Sequence, residues 1–127
     1  MILIVDDDDG MAETCRMLLE AHGFDVSVAS TGAEALFKIR GASPDLIISD
    51  CAMPGMSGVE LSETIKADPQ TAQLPILLMS GSPRCDVARS ASYEAFIKKP
   101  FLAENLLVEV RKLLNGTGAT PSSYLKA

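Results

Sequence analysis

The stretch Ile2-Leu3-Ile4-Val5-Asp6-Asp7 decides the fold, because four apolar residues lead directly into two carboxylates. Three later stretches share this pattern of a short apolar run that ends in a polar side chain: Leu46-Ile47-Ile48-Ser49-Asp50, Ile76-Leu77-Leu78-Met79-Ser80 and Phe96-Ile97-Lys98-Lys99. Short, continuous apolar runs are typical of parallel strands that are buried on both faces. The four stretches therefore predict buried strands of one sheet.

Segments with helical spacing of apolar residues separate these strands. The predicted helices cover about residues 10–22, 31–40, 59–68, 84–95 and 102–115. Asp9 is the expected N-cap of the first helix, and Ser30 or Thr31 that of the second. The helix over 84–95 has the thinnest apolar stripe, so we expect it to be the most mobile. Residues 25–29 alternate in polarity, which predicts a less buried strand at a side edge of the sheet.

Alternating strands and helices predict an α/β fold with a doubly wound parallel sheet. Right-handed crossovers place helices on both faces of such a sheet and produce a three-layer sandwich. The first strand is entirely apolar and should lie inside the sheet, with the alternating strand at its edge. We expect one domain over residues 1–115 and a flexible C-terminal tail over 116–127, since that tail is rich in Gly, Ser, Thr and Pro.

Composition excludes several classes of protein. The chain has 127 residues, 47% of them hydrophobic, which suits one globular domain. A net charge of −6 argues against direct nucleic-acid binding, which needs a basic surface. No apolar stretch approaches the roughly 20 residues of a membrane span. The three cysteines lack metal-ligand spacing, so we expect reduced thiols and a cytoplasmic protein.

The predicted strands bring chemically active side chains to one end of the sheet. Asp6, Asp7, Asp50, Ser80 and Lys99 all follow or end these strands, and open α/β sheets bind ligands at that end. Three close carboxylates need a cation, and their hard oxygens suit Mg²⁺. Each residue alone could be a helix cap, a turn residue or a solvated charge. Together, a divalent ion, a lysine and a hydroxyl around one carboxylate indicate phosphoryl transfer to that carboxylate.

These motifs, in this order, resemble the receiver domain of two-component response regulators over about residues 1–115. The matching residues are Asp6-Asp7, Asp50 followed by Met53-Pro54-Gly55-Met56-Ser57-Gly58, Ser80, and Lys99-Pro100-Phe101. The resemblance implies a flavodoxin-like, five-stranded parallel sheet in the order 2-1-3-4-5, flanked by five helices. It also implies that Asp50 accepts a phosphoryl group from a histidine kinase or a histidine phosphotransfer protein.

The same resemblance implies a set of metal ligands. Asp7, Asp50 and the backbone carbonyl of Ala52 would bind Mg²⁺ directly, and Asp6 would act through a metal-bound water. Apart from the metal, no cofactor is implied. The chain would catalyse only its own Mg²⁺-dependent phosphorylation and slow dephosphorylation, so it is not expected to be a conventional enzyme.

A switch is implied as well. Lys99 would pair with the phosphoryl group, and its bond to Pro100 is expected to be cis. Ser80 would move to hydrogen-bond the phosphoryl oxygen and draw Phe96 inward, although Phe96 is equally consistent with an ordinary core aromatic residue. Signalling would then proceed by protein contact, to a downstream protein target or an output domain.

Two other functions remain open at this point. Asp7 and Asp9 form the Asp-any-Asp-Gly pattern of haloacid dehalogenase-like phosphatases, with Asp7 as nucleophile and Asp9 as acid/base. Against that hypothesis, no acidic pair follows Lys99, no cap insertion is present, and Asp50 would have no role. The third possibility is a receiver-like binding module that is not phosphorylated.

Overall fold

The computed structural model describes residues 1–81 and 93–115, which form five strands and four helices. The strands are β1 (Ile2–Val5), β2 (Val26–Ala29), β3 (Leu46–Asp50), β4 (Ile76–Ser80) and β5 (Ala95–Lys98). The helices are α1 (Asp9–Ala21), α2 (Gly32–Ala42), α3 (Gly58–Ala67) and α4 (Ala103–Asn115).

The five strands form one parallel sheet in the order β2-β1-β3-β4-β5, as expected. β1 lies inside the sheet, and all four of its residues are buried. β2 lies at a side edge, where only Ala29 of its four residues is buried. The degree of apolar alternation therefore predicted the places of β1 and β2 in the sheet. For β5 the prediction of a buried strand is wrong, because β5 lies at the other side edge and only its Ile97 is buried.

The sheet separates two apolar cores, because successive side chains of a strand point to opposite faces. On one face, Ile4 and Ile48 pack with α1 and α4 through residues such as Leu19 and Leu106. On the other face, Val5 packs with α2 and α3 through residues including Ala35, Ile39, Leu61 and Ile65. This arrangement is the predicted three-layer sandwich.

The ends of the four described helices lie within two residues of the predictions, and the predicted N-cap is wrong only for α1. The N-cap of α1 is Asp8, whose side chain accepts a hydrogen bond from the Met11 amide at 3.1 Å. The prediction of Asp9 is wrong, because Asp9 already has helical geometry and is the first residue of α1. Thr31 caps α2, and Gly23 follows α1 with a positive φ of 90°.

The predicted helix over 84–95 falls mainly on residues that the structure does not describe. Its predicted end is wrong, because Ala95 is the first residue of β5 and pairs with Leu77. The prediction of its mobility lies outside the described residues, and so does the predicted flexible tail over 116–127. Within residues 1–81 and 93–115, no helix combines the length and apolar character needed to cross a membrane.

The cysteines differ from the expectation of three reduced thiols. Cys15 is free and buried in α1, but Cys51, which directly follows β3, is disulfide-bonded. Disulfide formation depends on which cysteines the fold brings within about 4.4–6.8 Å of each other between Cα atoms. Sequence spacing does not report that distance, so the pairing of Cys51 could not be predicted.

Candidate functional site

The strand register gathers the predicted residues at the carboxyl end of the sheet, where the strands finish. Val5 of β1 pairs with Ser49 of β3, so Asp6 and Asp50 follow at the same level in neighbouring strands. Ser80 ends β4 on the other side of β3, and Lys99 follows β5. The sequence prediction that these strand ends meet is therefore borne out.

Asp6, Asp7 and Asp50 form a compact acidic cluster. One carboxylate oxygen from each lies within 4.8 Å of those of the other two. Asp6 is fully buried and Asp50 is 9% exposed, whereas Asp7 is exposed to solvent. Like charges this close repel strongly where water is scarce, and a bound cation is the usual remedy. The donor set of carboxylate oxygens suits Mg²⁺ or Ca²⁺.

Asp6 is the residue whose surroundings point most directly to a cation. Its Oδ1 accepts a hydrogen bond from the Asp8 amide at 2.9 Å, but its buried Oδ2 has no hydrogen-bond partner among the described residues. Burial raises the pKa of Asp6, and the nearby charges of Asp50 and Asp7 raise it further. The Asp8 amide and Lys99 oppose this rise without cancelling it. An unpartnered, buried carboxylate oxygen is the observation that a metal ion would explain.

Lys99 supplies the one positive charge that the described residues place against the cluster. Its Nζ lies 3.3 Å from Asp50 Oδ1 and 3.6 Å from Asp6 Oδ2. At 3.6 Å, Lys99 and Asp6 form an ion pair but not a hydrogen bond, so Asp6 Oδ2 gains no hydrogen-bond donor from Lys99. The Lys99 amide donates to the Ser80 carbonyl at 2.8 Å, and the Lys99–Pro100 peptide bond is cis, as expected.

The loop between β3 and α3 holds Asp50 from the other side. Gly58, the first residue of α3, donates its amide to the Cys51 carbonyl at 2.8 Å. A Cβ atom on Gly58 would overlap the Asp50 carbonyl oxygen, so this position has room only for glycine. Ala52 lies exposed in the same loop. The sequence indicated Gly58 only as part of a motif, and its contact with Asp50 could not be read from it.

Ser80 and Phe96 occupy different environments. Ser80 is buried at the end of β4, whereas Phe96 is 42% exposed on β5. A core role for Phe96 is therefore wrong for this conformation. The sequence also missed the backbone amide of Asp8, which binds Asp6, since backbone contacts carry no residue-type signal. The run of acidic residues before and at the start of α1 was the only sequence feature that marked this position.

Comparison with known proteins is consistent with this geometry. Residues 2–111 match the family described as the response regulator receiver domain. The DNA-binding response regulator MtrA of Mycobacterium tuberculosis is 33% identical over 127 residues, which cover 98% of this chain and 54% of MtrA. The phosphate regulon regulatory protein PhoB of Rhizobium meliloti is 32% identical over 116 residues, which cover 89% of this chain and 51% of PhoB. This chain spans about half the length of these relatives.

Solved structures that resemble this chain agree with the family match. The signal receiver domain of a histidine kinase from Syntrophus aciditrophicus matches with a TM-score of 0.86 and 35% identity, covering 95% of this chain and 94% of that chain. The response regulator TrrA from Thermotoga maritima, solved in complex with Mg²⁺-BeF, matches with a TM-score of 0.79 and 32% identity, covering 88% and 96%. From its sequence match, its sheet order and its acidic site, this chain belongs to the response regulator receiver domain family.

Proposed function

We propose that this chain is a phosphorylation-controlled switch of a two-component phosphorelay, and that Asp50 accepts the phosphoryl group. One observation carries the proposal: the Asp50 carboxylate lies 3.3 Å from Lys99 Nζ and within 4.8 Å of two further carboxylates. A carboxylate between a lysine and a cation site is placed for phosphoryl transfer, which depends on positioning and charge neutralisation.

The metal of this site is proposed to be Mg²⁺. Asp7, Asp50 and the Ala52 carbonyl would hold it directly, and Asp6 would act through a bound water. The acidic cluster and the unpartnered Asp6 Oδ2 support this assignment. When bound, Mg²⁺ supplies positive charge that neutralises the phosphoryl oxygens. The TrrA structure, which contains Mg²⁺-BeF, provides an independent parallel.

The proposed reaction transfers a phosphoryl group from a histidine to Asp50. An Asp50 carboxylate oxygen attacks phosphorus, so that an O–P bond forms while the N–P bond of the phosphohistidine breaks. The leaving imidazole nitrogen keeps the bonding pair and takes a proton from solvent. Lys99 stabilises the charge on the phosphoryl oxygens, a role for which its ammonium already lies beside Asp50.

Phosphorylation is proposed to act as a local switch. Ser80 would move to hydrogen-bond the phosphoryl oxygen, and Phe96 would move inward from its 42% exposed position. The partners would be a histidine kinase or histidine phosphotransfer protein upstream, and a protein target or output domain downstream. The functional unit is proposed to be residues 1–115, acting in the cytoplasm as a switch rather than as a conventional enzyme.

Acetyl phosphate labelling tests the proposal. The chain is incubated with acetyl phosphate, with and without Mg²⁺, and the labelled residue is mapped by mass spectrometry after borohydride reduction. We expect a Mg²⁺-dependent label on Asp50 that Asp50→Asn abolishes. Asp25→Asn, which removes an exposed acid far along the sequence from the cluster, should leave it unchanged. A label on Asp7 would instead support the phosphatase, and no Mg²⁺-dependent change at all would support the binding module.

A further inference from the structure

A second cluster of charged side chains lies at the amino end of the sheet, where β4 and β5 begin. Lys66, near the end of α3, donates from Nζ to the carbonyls of Ala72 at 3.1 Å and Leu74 at 2.7 Å. The same Nζ pairs with Glu94 Oε2 at 2.7 Å. Lys66 is only 20% exposed, so its ammonium group is held by three acceptors in a partly buried place.

Glu94 extends the pairing of β4 and β5 with both its backbone and its side chain. Its amide donates to the Ile76 carbonyl at 2.9 Å, and its Oε1 accepts from the Ile76 amide at 2.7 Å. The carboxylate therefore takes the place that a carbonyl of one more strand residue would occupy. Glu94 thus sets the register at the point where β5 starts.

Lys66 and Glu94 connect α3, β4 and β5 at the end of the sheet opposite the site. The other ends of these three elements contribute to the site. α3 begins at Gly58, which abuts the Asp50 carbonyl, and Lys66 is its last residue but one. β4 runs from Ile76 to Ser80, and β5 connects Glu94 to Lys99. One regular element thus connects the charged pair to each of Gly58, Ser80 and Lys99.

β5 has few other contacts to hold it in place among the described residues. It lies at a side edge of the sheet and, within the part of the chain that the structure describes, pairs only with β4. Of its four residues only Ile97 is buried, and Phe96 and Lys98 are exposed. A short edge strand with one buried side chain gains little from apolar burial. Beyond its ladder with β4, its position therefore depends on the contacts at its two ends, Glu94 and Lys99.

We propose that Glu94, held by Lys66, is a positioning residue that sets the place of Lys99 at the phosphoacceptor site. Loss of the Glu94 carboxylate releases the amino end of β5, and the strand then shifts or frays between its remaining contacts. Lys99 directly follows β5, so its ammonium group no longer rests reliably beside Asp50. The effect on phosphorylation rests on the proposed function, whereas the effect on β5 does not.

The chain offers a closely matched control in Glu34. Its Oε1 accepts from the Ser30 amide at 2.7 Å, and its Oε2 pairs with Lys38 at 3.7 Å. Its side chain is 43% exposed, against 39% for Glu94. Glu34→Ala therefore removes the same kinds of contact from α2, which packs against β1, β2 and α3.

The first experiment is amide hydrogen exchange by NMR on the full chain without phosphodonor. For Glu94→Ala we expect exchange of the Lys99 amide, which donates to Ser80, to rise roughly tenfold or more. Glu34→Ala should change it by less than about twofold. If Glu94→Ala does not fold, Glu94→Gln keeps one acceptor for the Ile76 amide and should give a smaller rise. An unchanged Lys99 amide, or equal changes in the two alanine variants, would overturn the proposal.

The second experiment measures the rate of Asp50 labelling by acetyl phosphate at saturating Mg²⁺. We expect Glu94→Ala to slow labelling by about tenfold, since displacement of a catalytic group is costly, and Glu34→Ala to leave it nearly unchanged. In a Lys99→Ala background, Glu94→Ala should add less than about a twofold effect, because it acts through Lys99. Independent, multiplying effects would contradict this. If the wild-type chain takes no label, the proposed function fails, and the exchange experiment still decides the positioning role.

Discussion

The two ends of the sheet carry charged clusters of opposite character. At the carboxyl end, three carboxylates crowd together, and within residues 1–81 and 93–115 the buried Asp6 Oδ2 has no hydrogen-bond partner. At the amino end, Lys66 has three acceptors and both oxygens of Glu94 are hydrogen-bonded. The first cluster is incomplete as protein alone, and the second is satisfied by protein alone.

This difference indicates that the cluster at the carboxyl end serves binding, whereas the cluster at the amino end serves the stability of the fold. Native proteins pair their buried polar groups, and exceptions concentrate at sites that bind ions or carry out chemistry. We therefore expect the carboxyl end to cost stability that a bound cation would recover, and the amino end to contribute stability directly. Substitutions that add or remove charges and hydrogen-bond partners in each cluster can test the comparison.

The largest expected effect is that of Gly58→Ala at the carboxyl end. The new Cβ would overlap the Asp50 carbonyl oxygen, so the β3–α3 loop must move. We expect the free energy of unfolding, measured by urea denaturation, to fall by about 3 kcal/mol. Gly41→Ala is the matched control, because a Cβ there meets nothing within 4 Å inside α2. That variant should gain about 0.5–1 kcal/mol, and a loss of equal size in both variants would contradict the close contact at Gly58.

Magnesium binding should have the next largest effect. At about 100 times its dissociation constant, Mg²⁺ should raise the free energy of unfolding by about 2.7 kcal/mol. Asp7→Asn should remove most of this gain, whereas Asp25→Asn should keep it. Thermal or urea unfolding with Mg²⁺ and with EDTA measures the difference. An equal gain in Asp7→Asn would place the cation elsewhere.

Lys66→Met tests the satisfied cluster. Methionine keeps much of the apolar stem but removes the ammonium donor from the carbonyls of Ala72 and Leu74 and from Glu94 Oε2. We expect a loss of about 2 kcal/mol in urea denaturation. Lys112→Met, at an exposed 3.7 Å pair with Glu109, serves as control and should change stability little. A similar small change at Lys66 would show that its contacts do not stabilise the amino end.

The smallest and most diagnostic effect is that of Asp6→Asn. Removal of this buried charge relieves its repulsion with Asp50 and Asp7 in the metal-free protein, while an amide oxygen still accepts from Asp8. We expect a gain of about 1 kcal/mol without Mg²⁺, together with weaker Mg²⁺ binding. Urea denaturation and a magnesium titration measure the two. A loss of stability at Asp6, as at Lys66, would break the contrast between the two ends.

Sequence reasoning succeeded where residue type and period carry the signal. Continuous apolar runs predicted β1, β3 and β4, alternation predicted the edge position of β2, and the strand-end acids predicted the cluster. It failed at Asp8, Ala95 and Cys51, where the outcome depends on helix-cap geometry, a strand boundary and a cysteine pairing. A helix cap or a strand boundary shifts by only one or two residues, and a cysteine pairing depends on distance in the folded chain. The period of hydrophobic residues reports neither.

The sequence by itself determined the α/β class, the strand-helix order and the meeting of Asp6, Asp50, Ser80 and Lys99 at one end of the sheet. It could do so because the carboxyl ends of parallel strands necessarily share one end. Only the tertiary structure decided which charges are satisfied. Asp6 is left with an unpartnered oxygen, while Glu94 finds both Lys66 and the Ile76 amide. That outcome depends on distances of a few ångströms between elements far apart in sequence, and no local pattern encodes it.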